Sequence, residues 1–293
     1  MSAKIIDGKA IAAEIRSEVA GRVRALASSG ITPGLATVLV GDDPASKVYV
    51  SSKHKACAEV GIRSWDHHLG ASTTQEELLA LLAGLNDDEQ VHGILVQIPL
   101  PAHVDEAAVL GFVDPDKDAD GFHPCNLGKL LMGVPLVAPA TPAGIQQLLV
   151  RSAVETAGAE VVVVGRSNIV GKPFAALMVQ KASGANSTVT LCHTGTKDLA
   201  EHTRRADIVV AAVGRPKVIT APMVAEGAVV VDVGMNQTDR GLTGDVDFEA
   251  VKEKASAITP VPGGVGPMTI AMLLHNVVTL AERGAGRRRT GGG

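Results

Sequence analysis

The sequence of 293 residues is poor in aromatic residues and in cysteine, and both shortages exclude classes of function. It has one Tyr, one Trp and four Phe, too few for the stacking platforms that bind single-stranded nucleic acid. Its three cysteines, Cys57, Cys125 and Cys192, lie far apart and form no C-x-x-C pair. This spacing predicts neither a disulfide framework nor a zinc site, so we expect no bound metal and a reducing, cytoplasmic location.

An excess of one charge and a long apolar run are also lacking. The formal net charge is -4, and the basic residues are scattered except at Arg287 to Arg289. No broad phosphate-binding surface is indicated, so nucleic acid is not an expected partner. Residues 1–9 carry no apolar signal segment, and no apolar run approaches the ~18 residues that cross a bilayer. We therefore expect a soluble protein with no membrane partner.

Alternating helical and strand patterns are what the sequence has instead. Hydrophobic residues make up 46% of the chain and charged residues 20%, as in globular proteins. Apolar spacing predicts helices over 11–26, 46–60, 75–85, 143–151, 173–181, 197–204 and 268–283, and strands over 35–40, 62–69, 93–98, 161–164, 188–192, 208–212 and 228–233. This order predicts an α/β fold of two lobes with mostly parallel sheets and a cleft. Residues 99–126, rich in Pro and Asp, are predicted to form a long loop around one short helix.

The segment VVVVGRSNIVGKP, residues 161–173, is a candidate nucleotide site. It places a glycine turn after an apolar strand and before a helix, where backbone N–H groups can face a pyrophosphate. It matches neither G-x-G-x-x-G nor a Walker loop, and an ordinary strand-to-helix turn is the alternative. The next strand ends at Cys192, His193 and Thr194 without an acid, while Arg166 lies in the first loop. This pattern favours NADP over NAD.

Three polar residues are candidates for the chemical step. Tyr49 and Lys53 are four residues apart and share one face of a predicted helix, although such a pair also occurs by chance. Short-chain dehydrogenases use a similar pair, but there it follows the nucleotide strand. Gln97 ends an apolar strand immediately before Pro99; it is either a structural residue with satisfied hydrogen bonds or one that orients a catalytic neighbour.

An acidic run at Asp116, Asp118 and Asp120, followed by Gly121, begins like a calcium loop. The pattern fails because position 127, where a bidentate acid is needed, is Leu127. A solvated acidic loop is one interpretation. The other is that Asp120 directs its carboxylate at a nitrogen heterocycle.

Five segments together resemble the bifunctional methylenetetrahydrofolate dehydrogenase/cyclohydrolase family. They are VGDDPASKVYVSSK (40–53), GILVQIPLP (93–101), DPDKDADGFHP (114–124), GRSNIVGKP (165–173) and TPVPGGVGPMT (259–269). The resemblance implies a catalytic, folate-binding domain over 1–139 and a Rossmann NADP-binding domain over 140–267. It further implies that residues 268–293 form a helix that packs back on the first domain and ends in a flexible tail. A homodimer in solution is also implied.

The resemblance also implies roles for individual residues. Lys53 would be the main catalytic residue, with Gln97 hydrogen-bonded to it. Tyr49 would line the folate ring and Asp120 would hold the pterin. The remaining folate-pocket residues would be Val96, Ile98, Pro262, Gly263, Gly264, Val265 and Gly266. The NADP contacts would be Gly165, Arg166, Ser167, Thr194 and Met235. Two positions depart from the common family pattern, Ala140 in place of Cys and Thr194 in place of Ser.

Two reactions follow from the resemblance, and each makes its own demand on the protein. NADP-dependent oxidation of methylenetetrahydrofolate needs alignment of donor and acceptor. Hydrolysis of the methenyl product to 10-formyltetrahydrofolate needs a proton carrier. An unperturbed lysine, with a pKa of ~10.4, is almost wholly protonated at neutral pH, so we expect burial to lower the pKa of Lys53. The alternatives are a non-catalytic NADP-binding sensor and another two-lobed NADP dehydrogenase, of the shikimate type.

Overall fold

The computed structural model describes residues 2–239 and 241–290 and divides into two compact units. Unit 1 comprises the chain up to Ala13, Leu130–Val134 and Pro139–Thr269. Unit 2 comprises Glu14–Lys129, Pro135–Ala138 and the chain from Ile270 onward. The two units carry different candidate site residues.

Ten α-helices and eleven strands have defined bounds within the described residues. The helices are α1 Gly8–Ala27, α2 Pro44–Val60, α3 Gln75–Asp87, α4 Glu106–Phe112, α5 Pro124–Leu131, α6 Ala140–Arg151, α7 Gly171–Met178, α8 Leu199–Thr203, α9 Phe248–Val251 and α10 Val265–Thr290. The strands are β1 Lys4–Ile5, β2 Gly34–Val40, β3 Arg63–Leu69, β4 Gly93–Val96, β5 Glu160–Val164, β6 Thr188–Cys192, β7 Ile208–Ala211, β8 Val229–Asp232, β9 Asn236–Thr238, β10 Gly241–Thr243 and β11 Ala257–Ile258.

Unit 1 contains a parallel sheet of six strands in the order β1-β11-β8-β7-β5-β6. Residues 161–164 and 208–211 are fully buried, as expected for strands covered on both faces. The chain passes from β5 to β6 on one side and then to β7 on the other. The strand order therefore reverses between β5 and β7, and in such sheets ligands bind at the carboxyl ends of the strands at this point. The predicted Rossmann-type parallel sheet is confirmed.

Unit 2 contains a parallel sheet of three strands in the order β3-β2-β4. Apolar side chains of β2 and β4 pack with those of α3 and α4 in one core; examples are Val38, Leu78, Leu82, Ile94 and Val109. Residues 117–119 run beside β4, where the N–H of Ile94 donates to the carbonyl of Lys117 (2.6 Å) and the N–H of Ala119 to that of Ile94 (3.2 Å). This pairing brings the acidic segment to the strand that precedes Gln97.

Helix α2, which carries Tyr49 and Lys53, has strong signals at both ends. The Asp43 carboxylate accepts from the N–H of Ser46 (2.7 Å), and Pro44 occupies the first turn, where its missing N–H costs nothing. At the other end Gly61 adopts the left-handed conformation that closes a helix. The helix consequently starts two residues earlier than the apolar spacing predicts.

Several short elements were not predicted from the sequence. Strands β1, β9, β10 and β11 are two or three residues long, too short for a periodic pattern. Within 99–126 the predicted short helix is α4, but a second helix, α5, begins at Pro124. Strand β4 ends at Val96, two residues before the predicted end. The predicted flexible tail falls on residues 287–293, of which α10 includes those up to Thr290, and 291–293 lie outside the described residues.

One expectation about apolar runs was wrong. The segment Val265–Gly286 of α10 is long and apolar enough to cross a membrane by length and composition. Of its most apolar stretch, 61% is buried in the structure. The core helix of a soluble protein meets the same criteria, so the length of this helix does not indicate a membrane partner.

Candidate active site

Lys53 and Gln97 form the centre of the candidate catalytic group in unit 2. The Nζ of Lys53 donates to the Oε1 of Gln97 at 3.0 Å. The Nε2 of Gln97 in turn donates to the carbonyl of Ile98 at 2.7 Å, which fixes the orientation of the amide. The N–H of Gln97 donates to the carbonyl of Val38 (2.8 Å), so the sheet holds its backbone. Sequence spacing left Gln97 open between a structural and an orienting residue, and the structure shows it bonded to Lys53.

Burial changes the protonation of this group. Lys53 is only 7% exposed, and desolvation lowers the pKa of its amine, while the negative charge of Asp120 partly opposes that shift. Desolvation raises the pKa of Asp120 to about 6, and the positive charge of Lys53 acts in the opposite direction. Lys53 and Asp120 therefore lie within electrostatic range of each other, and burial shifts the pKa of each in the direction that favours its neutral form.

Asp118, two residues before Asp120, holds the acidic loop in shape. Its buried carboxylate accepts from the N–H groups of Gly121 (3.0 Å), Phe122 (3.1 Å) and His123 (2.8 Å). It also accepts from the Nδ2 of Asn126 at 2.9 Å. Asp118 and Asn126 were not predicted from the sequence as site residues, although an acid followed by turn residues with free N–H groups, D-x-x-G, is a recognisable signal of such a loop.

The other predicted folate-pocket residues divide between the two units. Tyr49 lies on α2, half-buried, and desolvation raises the pKa of its hydroxyl. In the same unit Val96 is buried at the end of β4 and Ile98 is half-buried. The turn from Pro262 through Gly263, Gly264 and Val265 to Gly266 belongs to unit 1, where the N–H of Gly264 donates to the carbonyl of Pro260 at 2.8 Å.

The candidate nucleotide turn in unit 1 is built on close backbone contact. Gly165 follows β5 with φ +131°, and a Cβ on it would lie 2.1 Å from the carbonyl oxygen of Ala212. A side chain therefore has no room at this position. Ser167 closes the turn, because its Oγ accepts from the N–H of Val170 at 3.1 Å before α7 begins at Gly171.

The predicted NADP contacts all lie at the carboxyl ends of strands in unit 1. Gly165, Arg166 and Ser167 follow β5, Thr194 follows β6, and Met235 follows β8. Arg166, Ser167 and Thr194 are exposed, and Met235 is 46% exposed. A turn that has no room for a side chain at Gly165 and carries the exposed Arg166 beside it suits the phosphates of a dinucleotide. Within residues 2–239 and 241–290, no group of three or more His, Cys, Asp or Glu side chains is arranged to hold a metal ion.

Comparisons with known proteins match the chain to two domains of one family. Residues 6–120 match the tetrahydrofolate dehydrogenase/cyclohydrolase catalytic domain, and residues 139–285 match the NAD(P)-binding domain of the same family. The bifunctional protein FolD of Dehalococcoides mccartyi is 59% identical over 293 residues, covering 98% of this chain and 99% of the relative.

Solved structures agree as well. The bifunctional FolD of Campylobacter jejuni has a TM-score of 0.93 at 48% identity, covering 96% of this chain and 99% of that one. The FolD of Trypanosoma brucei, solved with NADP cofactor and inhibitor, has a TM-score of 0.92 at 40% identity, covering 97% and 99%. A shikimate dehydrogenase from Aquifex aeolicus, at 14% identity and a TM-score of 0.52, covering 86% of this chain and 97% of that one, shares the fold alone.

These matches favour one of the functions that the sequence left open. The shikimate-type dehydrogenase is supported only by distant likeness in fold, whereas both halves of the chain match one bifunctional family. The predicted α/β architecture, the NAD(P) cofactor and the combined dehydrogenase and cyclohydrolase function are confirmed. The chain belongs to the tetrahydrofolate dehydrogenase/cyclohydrolase family.

Proposed function

We propose that Lys53 is the proton carrier of the cyclohydrolase reaction and that Gln97 positions it. The observation that carries this assignment is the buried Lys53 amine at 3.0 Å from the Gln97 Oε1. The amide oxygen can accept a hydrogen bond from either the amine or the ammonium form. Lys53 therefore keeps its place when its protonation changes.

The hydrolysis needs a proton taken up and a proton delivered. Water adds to the methenyl carbon and loses a proton. One carbon–nitrogen bond then breaks, and the departing ring nitrogen gains a proton, which leaves the formyl group on the other nitrogen. A side chain with a pKa near the working pH serves both steps best. Desolvation moves the pKa of Lys53 in that direction.

We propose that Asp120 holds the pterin ring and that Tyr49 lines the folate pocket. At neutral pH the Asp120 carboxyl, with its pKa raised to about 6, is largely ionised and can accept hydrogen bonds from a nitrogen heterocycle. Val96, Ile98 and the Pro262 to Gly266 turn would supply the remaining contacts. The bonds to Asp118 support this role, because they fix the loop from which Asp120 projects.

We propose NADP, rather than NAD, as the cofactor at the turn of Gly165, Arg166 and Ser167, with Thr194 and Met235 completing the site. Two observations favour the 2′-phosphate: Arg166 is exposed beside the turn, and β6 is followed by His193 and Thr194 without an acid. Bound at this turn, NADP would supply the hydride acceptor for oxidation of the folate methylene carbon. The protein contributes alignment, since the nitrogen lone pairs of the folate stabilise the resulting cation.

Lys53→Met tests the assignment of the proton carrier, with Lys55→Met as its matched control. Both lysines lie on α2, but Lys53 is buried and Lys55 is exposed. We expect Lys53→Met to lower the rate of methenyltetrahydrofolate hydrolysis by about 10²–10⁴-fold, the usual contribution of a positioned acid or base. Lys55→Met should hydrolyse at the wild-type rate. Near-normal hydrolysis by Lys53→Met would refute the role.

We also propose a cytoplasmic homodimer that has neither nucleic acid nor a membrane as a partner. The family resemblance supports the dimer, the net charge of -4 argues against a phosphate backbone as a partner, and free Cys57, Cys125 and Cys192 suit a reducing compartment. Sedimentation equilibrium of the purified chain tests the dimer. A monomeric mass at micromolar concentration would refute it.

A further inference from the structure

Two buried carboxylates in unit 1 take no part in the proposed chemistry. Asp232 is the last residue of β8 and is 2% exposed, and Asp245 lies between β10 and α9 and is 0% exposed. Burial of an ionised carboxyl is costly unless hydrogen bonds compensate for the lost water. Each of these two is surrounded by N–H donors.

Asp245 accepts four hydrogen bonds from two separate loops. Its Oδ2 accepts from the N–H groups of Val213 (2.6 Å) and Gly214 (2.9 Å). Its Oδ1 accepts from the N–H of Arg215 (3.0 Å) and from the Nδ2 of Asn236 (2.9 Å). One carboxylate thus joins the loop after β7 to the segment after β8.

Asp232 holds the same region from the other side. Its Oδ1 accepts from the N–H groups of Gly234 and Asp245, both at 2.9 Å, and its Oδ2 accepts from the N–H of Val246 at 3.0 Å. Desolvation raises its pKa to about 6, against the opposing effect of these three bonds. Asp232 thereby fixes the backbone that carries Asp245.

The approach of the two carboxylates leaves no room for side chains beside them. A Cβ at Gly234 would lie 2.2 Å from the Oδ1 of Asp245, and a Cβ at Gly244 would lie 1.9 Å from the Oδ2 of Asp232. The two carboxylates and the two glycines therefore pack closely against each other. We call this group the carboxylate clasp; it consists of Asp232, Gly234, Gly244 and Asp245.

The clasp holds the backbone around the proposed cofactor site. The loop bonded to Asp245 begins directly after Ala212, the residue against which Gly165 packs. It also follows β7, and the strand order reverses between β5 and β7, where dinucleotides bind in such sheets. On the other side Met235 lies between Gly234, bonded to Asp232, and Asn236, bonded to Asp245.

We propose that Asp245 is a positioning residue for NADP. Asp245 orders the loop Val213 to Arg215 and the segment around Met235 before the cofactor binds. The inference rests on the proposed nucleotide site. An ordered loop binds more tightly because less conformational entropy is lost on binding. Loss of Asp245 should therefore weaken the binding of NADP more than it slows catalysis at saturating NADP.

The experiment measures NADP binding by isothermal titration in wild type, Asp245→Asn and Asp207→Asn. Asn keeps the size of Asp but turns an NH₂ group toward N–H donors. We expect the Kd for NADP to rise by roughly tenfold or more, because the loop that Asp245 orders would then have to be ordered when NADP binds. The KM for NADP should rise in parallel, with a smaller change in kcat. Asp207 accepts from the N–H of Glu160 (2.8 Å) at the amino end of the same strands, so its variant should bind NADP as wild type does.

Folding is followed separately, by circular dichroism and by hydrolysis of methenyltetrahydrofolate, which consumes no NADP. If Asp245→Asn does not fold, the inference is tested with Asn236→Ala. This variant removes one donor to Asp245 from a half-buried position. It should raise the Kd for NADP, but less than Asp245→Asn would. The inference would be overturned if a folded Asp245→Asn bound NADP with the wild-type Kd. The same holds for Asn236→Ala if Asp245→Asn does not fold. Failure of the wild type itself to bind NADP would refute the nucleotide site instead.

Discussion

The candidate sites of the two units differ in the groups that form them, which are side chains in unit 2 and backbone in unit 1. In unit 2 the proposed functional groups are two side chains that titrate, Lys53 and Asp120, and an amide, Gln97, that accepts a 3.0 Å hydrogen bond from Lys53. In unit 1 the proposed nucleotide turn is shaped mainly by backbone, with Gly165 against Ala212. A proton carrier needs a shifted pKa, which burial provides. A dinucleotide needs accessible N–H groups, which closely packed backbone provides.

Buried acids show the same contrast. The charge of Lys53 acts on the pKa of Asp120, whereas Asp232 and Asp245 accept hydrogen bonds from backbone N–H groups and from the side-chain amide of Asn236. An acid beside a lysine takes part in proton balance and responds to the protonation of its partner. An acid among N–H groups holds loops in place. The pKa of Asp120 and of Asp232 is raised to about 6 in both cases, so a raised pKa by itself does not distinguish a catalytic acid from a structural one.

The largest expected effect is that of adding one methyl group in unit 1, at Gly165. Gly165→Ala places a Cβ 2.1 Å from the Ala212 oxygen at φ +131°, at a cost of about 2–5 kcal/mol. Dehydrogenase activity should be lost, with NADP binding too weak to measure by titration. Gly158→Ala is the control, since Gly158 also has positive φ, +76°, but no atom within 4 Å of its Cβ position. Equal losses in both variants would show that backbone strain, not contact with Ala212, matters.

The next effect concerns Gln97. Gln97→Leu removes the acceptor at 3.0 Å from the Lys53 amine and leaves the lysine buried without it. Loss of one hydrogen bond to a charged group corresponds to about 1.5–3 kcal/mol, or a roughly 10–150-fold lower rate of hydrolysis. NADP binding in unit 1 should stay at the wild-type value. A variant that hydrolyses normally would show that Lys53 needs no partner in Gln97.

A pH effect of intermediate size is expected from Asp120. Its pKa is raised to about 6, so the carboxylate is ionised above that pH and gains a proton as the pH falls through it. The protonated form accepts fewer hydrogen bonds, and the KM for methylenetetrahydrofolate should rise by up to about tenfold for each pH unit below 6. Initial rates between pH 5 and 8 measure this. The KM of Asp120→Asn should be high and nearly independent of pH, and a wild-type profile in that variant would contradict the role.

The smallest expected effect is that of Arg166. This residue is exposed, and exposed ion pairs contribute about 1 kcal/mol or less. Arg166→Ala should raise the KM for NADP by up to about fivefold and leave the KM for NAD unchanged. Arg204, also exposed but beyond α8, provides the control variant Arg204→Ala. An equal rise for both cofactors would show that Arg166 does not contact the 2′-phosphate.

The sequence predicted the long elements and the linear motifs well, for physical reasons. Strand β5 and helices such as α3 carry enough apolar residues to show their period. Strands β1 and β11 have two residues each and pair with each other across 253 positions of sequence (Lys4↔Ala257), so no local pattern reveals them. Tertiary pairing alone gives them their conformation.

The candidate site was predictable in part for a related reason. Lys53 and Asp120 occur in recognisable segments, and the resemblance assigned them roles. Their mutual effect on pKa, and the hydrogen bonds that join Asp245 to the distant loop after β7, depend on side chains brought together by the fold. Gly234 and Gly244 give no signal of their close approach to carboxylates until the loops are in place.

The most direct test of the central claim is the pKa of Lys53 itself, measured by NMR titration of ¹³C-labelled lysine, with Lys53→Met to assign the signal. Desolvation of the buried amine predicts a pKa below the ~10.4 of an unperturbed lysine, despite the opposing charge of Asp120. Asp120→Asn should lower it further. A Lys53 signal that titrates at or above the unperturbed value would contradict the account of Lys53 as the proton carrier.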